Sequence, residues 1–217
     1  MLAKNRLTIS GSGLVLAVLA AVGVGLWARR RHPHLPCPSS LSFLLENPFM
    51  NQVAGAQLLL DRAGVAPGMR VLDVGCGPGR ITLPAAQRVG PDGEVVALDI
   101  QPAMLRRVQE KVTTQKVNNV RLLRAGAGEG KTEAVAFDRA FLVTVLGEIP
   151  DKPAALREIY RALKPGGILS ITEVFPDPDM QRPGVVRQLA QETGFSVAEQ
   201  IGSFPAFTMN LVKPTGA

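Results

Sequence analysis

Three glycines at alternate positions, Gly75, Gly77 and Gly79, break an apolar run from Val71 to Val74 that carries one carboxylate, Asp73. Glycine lacks a Cβ and enters positive φ freely, so a turn of this composition lets a ligand lie directly on the backbone. A second acid, Asp99, follows Gly75 by 24 residues and closes the next apolar run. In nucleotide sites an acid placed about 20 residues beyond the glycine turn accepts hydrogen bonds from ribose hydroxyls. Two features read independently thus converge on an adenosine-containing ligand. A dinucleotide fingerprint needs its third glycine at position 80, which is Arg80, and a phosphate-binding P-loop needs a Gly-Lys-Ser/Thr that does not follow.

Positioning such a turn requires a strand before it and a helix after it. The pattern predicts strands over Arg70–Val74, Glu94–Asp99, Val120–Arg124, Ala136–Val143 and Ile168–Val174. Helices are predicted over Asn51–Ala63, Ile81–Val89, Pro102–Gln115, Pro153–Leu163 and Pro183–Thr193, with Asn51 as an N-cap. Lys164-Pro165-Gly166-Gly167 reads as the turn into the fifth strand. Alternating strands and helices imply a parallel sheet with right-handed crossovers, hence a three-layer α/β domain. Phe195–Ile201 and Ala206–Val212 are too close for a crossover helix and should pair as an antiparallel hairpin.

The chain of 217 residues, 46% hydrophobic and 19% charged, has a globular composition. Its net charge of +6 is concentrated at one end: Lys4, Arg6 and Arg29 to Arg31 all precede the first acid, Glu46. The remainder is close to neutral, which argues against a nucleic-acid-binding face and for membrane topology or anionic-lipid attraction. Cys37 and Cys76 match no metal spacing and no disulfide framework.

Residues 1–31 read as a membrane anchor with a basic flank, 32–46 as a linker and interfacial segment, and 47–217 as the globular domain. Leu7 to Ala28 contains no charge and is continuously apolar from Gly13. As a helix it is long enough to cross a hydrocarbon core of about 30 Å. A cleaved signal peptide is the rival, but Arg29-Arg30-Arg31 immediately after the run is the flank of a retained anchor. The expectation is a single-pass membrane protein whose catalytic domain faces the cytoplasm. Gly13, Ala17, Ala21 and Gly25 fall four apart, a small-residue ridge through which two spans could self-associate, although such residues are common in any membrane helix. Beyond a linker with three prolines, Leu41 to Met50 is a dense apolar patch close to the bilayer.

From Asn47 to Pro214 the sequence resembles the class I S-adenosylmethionine-dependent methyltransferases. Val71 to Gly79 resembles their first motif, Val95 to Ile100 their acidic second strand, Phe137 to Val143 their fourth strand, and Leu163 to Gly167 the turn before strand five. The resemblance implies a Rossmann-like sheet of seven strands, mostly parallel, with a C-terminal antiparallel hairpin, and S-adenosyl-L-methionine as cofactor. It assigns Asp73, Gly75, Cys76, Gly77 and Gly79 to the cofactor turn, Asp99 to the ribose and Ile100 to the adenine. Ala127, Gly128 and Thr144 complete the expected cofactor contacts. The chain departs from many relatives after strand three, where Gly126-Ala127-Gly128-Glu129 stands in place of Gly-Asp-Ala. After strand four, Gly147 stands where quinone-type relatives often carry a histidine.

Should a base be needed, the carboxylates expected at the sheet's carboxyl edge are Glu148, Glu173, Asp177 and Asp179. The Asn/Asp-Pro-Pro-aromatic signature of amino-methylating nucleic-acid enzymes is absent, as is a cysteine nucleophile after strand four. The expected acceptor is a lipid or hydrophobic small molecule, with a phospholipid amine or a quinone precursor as the analogy of the resemblance. A nucleotide-dependent oxidoreductase and a non-catalytic, membrane-tethered binding module are the alternatives.

Overall fold

The computed structural model describes residues 54–175 and 177–216. The expectations for Leu7–Ala28, for the linker, for the apolar patch at Leu41 to Met50 and for the Asn51 cap lie outside them. Among the described residues no helix is long and apolar enough to cross a membrane.

The element order is α1 (Ala56–Arg62), β1 (Arg70–Val74), α2 (Thr82–Val89), β2 (Glu94–Asp99), α3 (Pro102–Thr114), β3 (Val120–Arg124), β4 (Phe137–Val143), a 3₁₀ turn (Leu146–Glu148), α4 (Lys152–Ala162), β5 (Leu163–Val174), α5 (Pro183–Glu192), β6 (Ser196–Gly202) and β7 (Ala206–Val212). The strands form one seven-stranded sheet in the order β3-β2-β1-β4-β5-β7-β6. β1 to β5 run parallel to one another, while β7 pairs antiparallel with both β5 and β6.

Because side chains alternate across a strand, each strand feeds two cores. Leu72, Val74, Val96, Leu98, Ala140, Leu142, Leu169 and Ile171 pack with α4 and α5 residues such as Leu156, Ile159, Val186 and Leu189. Val71, Val95, Phe141 and Val174 pack on the opposite face with Leu59 and Leu60 of α1 and Ala85, Ala86 and Val89 of α2. Ala97 meets Leu83 of α2 and Leu105 and Val108 of α3. Helices on both faces make the expected three layers. The outer strand β6 is mostly exposed, carries Glu199 and Gln200, and is bulged between Val197 and Glu199. Charge and a bulge at an edge oppose pairing with another chain.

Most boundaries fall within one residue of expectation, and two of the differences bear on packing. Lys164-Pro165-Gly166-Gly167 is not a turn ahead of β5 but an irregular stretch within it, where the register against β4 shifts between the Phe137–Leu163 and Arg139–Ile168 pairs. These residues stay hydrogen-bonded because the Gly166 N–H donates to the Lys213 carbonyl and the Lys213 N–H to that of Gly167. Phe195 precedes β6 and is buried against Tyr160, ring edge to ring face, with centroids 5.0 Å apart.

Candidate functional site

The order of the sheet reverses at β1, with β2 on one side and β4 on the other. Such a switch point leaves a crevice at the strands' carboxyl ends, where ligands of open α/β sheets bind. Here it is a recess with about 390 Å³ of empty space, open to solvent and lined by Asp73, Gly75, Cys76, Gly77, Pro78, Arg80, Ile81, Val143 and Thr144.

The three glycines do different work. All have positive φ, at 68°, 52° and 87° for Gly75, Gly77 and Gly79. A Cβ on Gly75 would lie 2.6 Å from both methyl carbons of Val145, and one on Gly79 would lie 2.8 Å from Leu83 Cδ2. Those two glycines let the turn pack against the residues after β4 and against α2. A Cβ on Gly77 would meet nothing within 4 Å, so its open side is the space left for a ligand.

Asp99 ties the turn to the next helix. Its Oδ2 accepts the Gly77 N–H at 2.9 Å and its Oδ1 the Gln101 N–H at 2.8 Å. Burial pushes its carboxyl above the ordinary aspartate range, opposed by those two N–H donors. Each carboxylate oxygen has a further lone pair, so two ribose hydroxyls can still be accepted. Beside it Ile100 is 53% exposed, an apolar surface with nothing of the described chain on it. A flat aromatic ligand would cover it.

Asp73 lies beneath the turn and accepts the Thr82 hydroxyl at 2.6 Å. Burial raises its carboxyl to about 6, against the Thr82 hydrogen bond, which lowers it. Cys76 is a buried free thiol whose ionisation burial suppresses, the Asp73 and Asp99 charges adding to that effect. It is no nucleophile at neutral pH. The Lys111 ammonium of α3 donates to the Pro78 carbonyl at 2.8 Å and steadies the far end of the turn. Thr144 closes the recess from β4 at φ 56°, a conformation costly for a β-branched residue, held by its N–H donating to the Thr172 carbonyl.

The loop carrying Ala127 and Gly128 is organised by a residue the sequence reading missed. Glu158, buried on α4, accepts the N–H groups of Gly128 and Thr132 and the Thr132 hydroxyl at 2.6 to 3.0 Å. Burial raises this carboxyl, but the Thr132, Gly130 and Gly128 donors together hold it below the usual range. The signal was present in outline, since Glu158 falls between Leu156 and Ile159 on the apolar side of its helix.

The nominated acids differ sharply. Glu148 sits in the 3₁₀ turn and is half-buried, and Asp177 caps its own loop by accepting the Asp179 N–H at 2.9 Å. Glu173 is 1% exposed, with Oε2 accepting the Gln181 N–H at 3.0 Å and Oε1 buried without a hydrogen-bond partner. Burial raises it to about 8, with Asp177 and Asp179 adding to the rise and the Gln181 N–H opposing it. Asp177 to Gln181 lies over the turn after β4: a Cβ on Gly147 would fall 2.0 Å from the Asp179 carbonyl oxygen. A histidine at 147 is therefore incompatible with this loop as it packs. Among the described residues no cluster could hold a metal ion.

A family profile described as a methyltransferase domain matches residues 66–201, more than half of the chain. The chain is 40% identical over 115 residues to a ubiquinone/menaquinone biosynthesis C-methyltransferase of Idiomarina loihiensis, covering 52% of this chain and 46% of that protein. It is 33% identical over 126 residues to the nocamycin O-methyltransferase of Saccharothrix syringae, covering 58% and 45%. The chain thus spans about half the length of the curated relatives it matches. Among solved structures, an S-adenosylmethionine-dependent methyltransferase of Aquifex aeolicus superposes with a TM-score of 0.75 at 23% identity, over 82% of this chain and all of that one. The open face of Gly77, the lone pairs of Asp99 and the bare surface of Ile100 fit the S-adenosylmethionine on which that last enzyme depends. The chain belongs to the class I S-adenosylmethionine-dependent methyltransferases.

Proposed function

We propose that the protein methylates a hydrophobic acceptor of the quinone or lipid type at a membrane surface. The observation that carries this reading is the similarity to the quinone-biosynthesis C-methyltransferase, and the uncharged stretch Leu7–Ala28 with its arginine flank supports it. On this reading the protein is a single-pass membrane protein with its catalytic domain in the cytoplasm.

When bound, the cofactor supplies a methyl group already activated on a sulfonium. The chain's own task is then chiefly to position the acceptor in line and keep water out. Gly77 and Asp99 would hold the cofactor's ribose side, and Ile100 would flank its base. In place of an aspartate side chain, backbone groups of Gly126 to Glu129 or the Glu129 side chain would hold the adenine, on a loop fixed by Glu158. For a carbon or hydroxyl acceptor that must lose a proton, Glu173, which burial brings close to neutral pH, would serve as base only once the Asp177 to Gln181 loop that seals it has moved aside. It would take over from the histidine that Gly147 cannot supply.

The test is incubation of the full chain, in its membrane, with methyl-labelled donor and a lipid extract. Label is expected in the solvent-extractable hydrophobic fraction. Label confined to water-soluble products would remove the hydrophobic acceptor, and binding without turnover on any acceptor would favour the non-catalytic module.

A further inference from the structure

We propose that Phe175 and Phe204 form a second membrane contact, which turns the carboxyl edge of the sheet toward the lipid. The inference rests on the reading of Leu7–Ala28 as a membrane anchor.

Phe175 directly follows β5, and Phe204 lies in the turn between β6 and β7. The antiparallel register sets Val174 opposite Ala206, which brings both rings to the edge where the glycine turn and Thr144 stand. The Phe175 N–H donates to the Pro205 carbonyl at 2.8 Å, and the ring centroids are 5.3 Å apart with planes tilted by 49°. Yet the two residues remain 50% and 73% exposed. Val185, in the first turn of α5, is also exposed, and so is Arg182 immediately before that helix. The acids of the intervening loop, Asp177 and Asp179, are half-buried.

Exposed aromatic rings gain nothing in water, since burying such area is worth about 25 cal/mol per Å². Three apolar side chains are far fewer than the 20 to 30 residues a side of a stable protein interface. They do suit shallow insertion among lipid headgroups, where aromatic rings and a flanking arginine are both at home. The chain also brings its own tether: the residues between Arg31 and Ala54 could span at most about 80 Å even fully extended. Inserting the ring pair would present the recess to the leaflet from which a hydrophobic acceptor must come.

The only tryptophan is Trp27, at the end of the apolar stretch, so the native chain reports on the anchor alone. The full-length chain is reconstituted into vesicles of phosphatidylcholine and phosphatidylglycerol with or without bromine on the acyl chains. Native emission tests the anchor, and a Trp27→Phe/Phe204→Trp variant tests the patch. Brominated lipid is expected to quench both by at least half. Quenching of the native chain with unquenched, water-like emission from the variant would overturn the patch and leave the anchor standing. Quenching of neither would overturn both. Wild-type affinity of the variant for S-adenosylhomocysteine establishes that it is folded, and Trp27→Phe/Phe175→Trp gives an independent reading of the same surface, expected to be quenched in the same way.

Discussion

The two halves of the site are built by different means. On the cofactor side, between β1 and β2, position is set by backbone: two glycines give way to Val145 and Leu83, a third stays open, and Asp99 locks the turn to α3 through two N–H groups. On the side of β4 and β5, where the proposed acceptor would lie, position is set by side chains and a loop: Glu173 is sealed under Asp177 to Gln181, and Gly147 yields its space to Asp179. Backbone demands leave a mark in the residue types, whereas a sealed carboxylate looks like any other glutamate. The contrast makes separate predictions for each half.

The largest effect belongs to the acceptor side. Glu173 has its folded pKa raised from 4.5 to about 8, so the native state binds the extra proton across that range. Stability is full below about 4.5 and is lost as pH rises through about 8, up to about 5 kcal/mol. Glu173→Gln should flatten this dependence in urea titrations of the detergent-solubilised chain at several pH values. Unchanged pH dependence would place the buried charge elsewhere.

Next come the glycines. Gly75→Ala forces a Cβ against Val145 and should cost about 3 kcal/mol of stability. Gly77→Ala meets no neighbour and should cost about 1 kcal/mol, the strain of its positive φ, while weakening S-adenosylhomocysteine at least tenfold. Equal affinity in Gly77→Ala and wild type would move the ligand off that face.

Asp99→Ala should weaken the same ligand by about 2 kcal/mol, with Asp99→Asn between the two, because it removes charged acceptors from both the turn and the ribose. The smallest effect on binding is expected of Gly147→His. It should displace the Asp177 to Gln181 loop and raise its sensitivity to protease, yet leave cofactor affinity within about twofold. A large loss of cofactor there would show that the halves are coupled.

The same contrast explains what the sequence made legible. The boundaries of β1, β2, β3 and β7 follow the apolar runs because charge or glycine delimits each. The stretch Lys164 to Gly167 was misjudged because Pro-Gly-Gly signals a turn locally, while its pairing with Lys213 is a long-range fact. Glu158 was overlooked for a similar reason: its partners, Gly128 and Thr132, lie far off in sequence. Asp73, assigned to the cofactor turn, lines the recess but spends its Oδ2 on Thr82 beneath it. Gly77 and Asp99 were legible because a glycine turn after one apolar run and an acid closing the next are marked by residue type and spacing alone.

Calorimetric titration of the full-length chain with S-adenosylhomocysteine and, separately, with NAD tests the central assignment most directly. The structure predicts one-site binding of S-adenosylhomocysteine, weakened in Asp99→Ala, and no heat from NAD. Binding of NAD without binding of S-adenosylhomocysteine would contradict it.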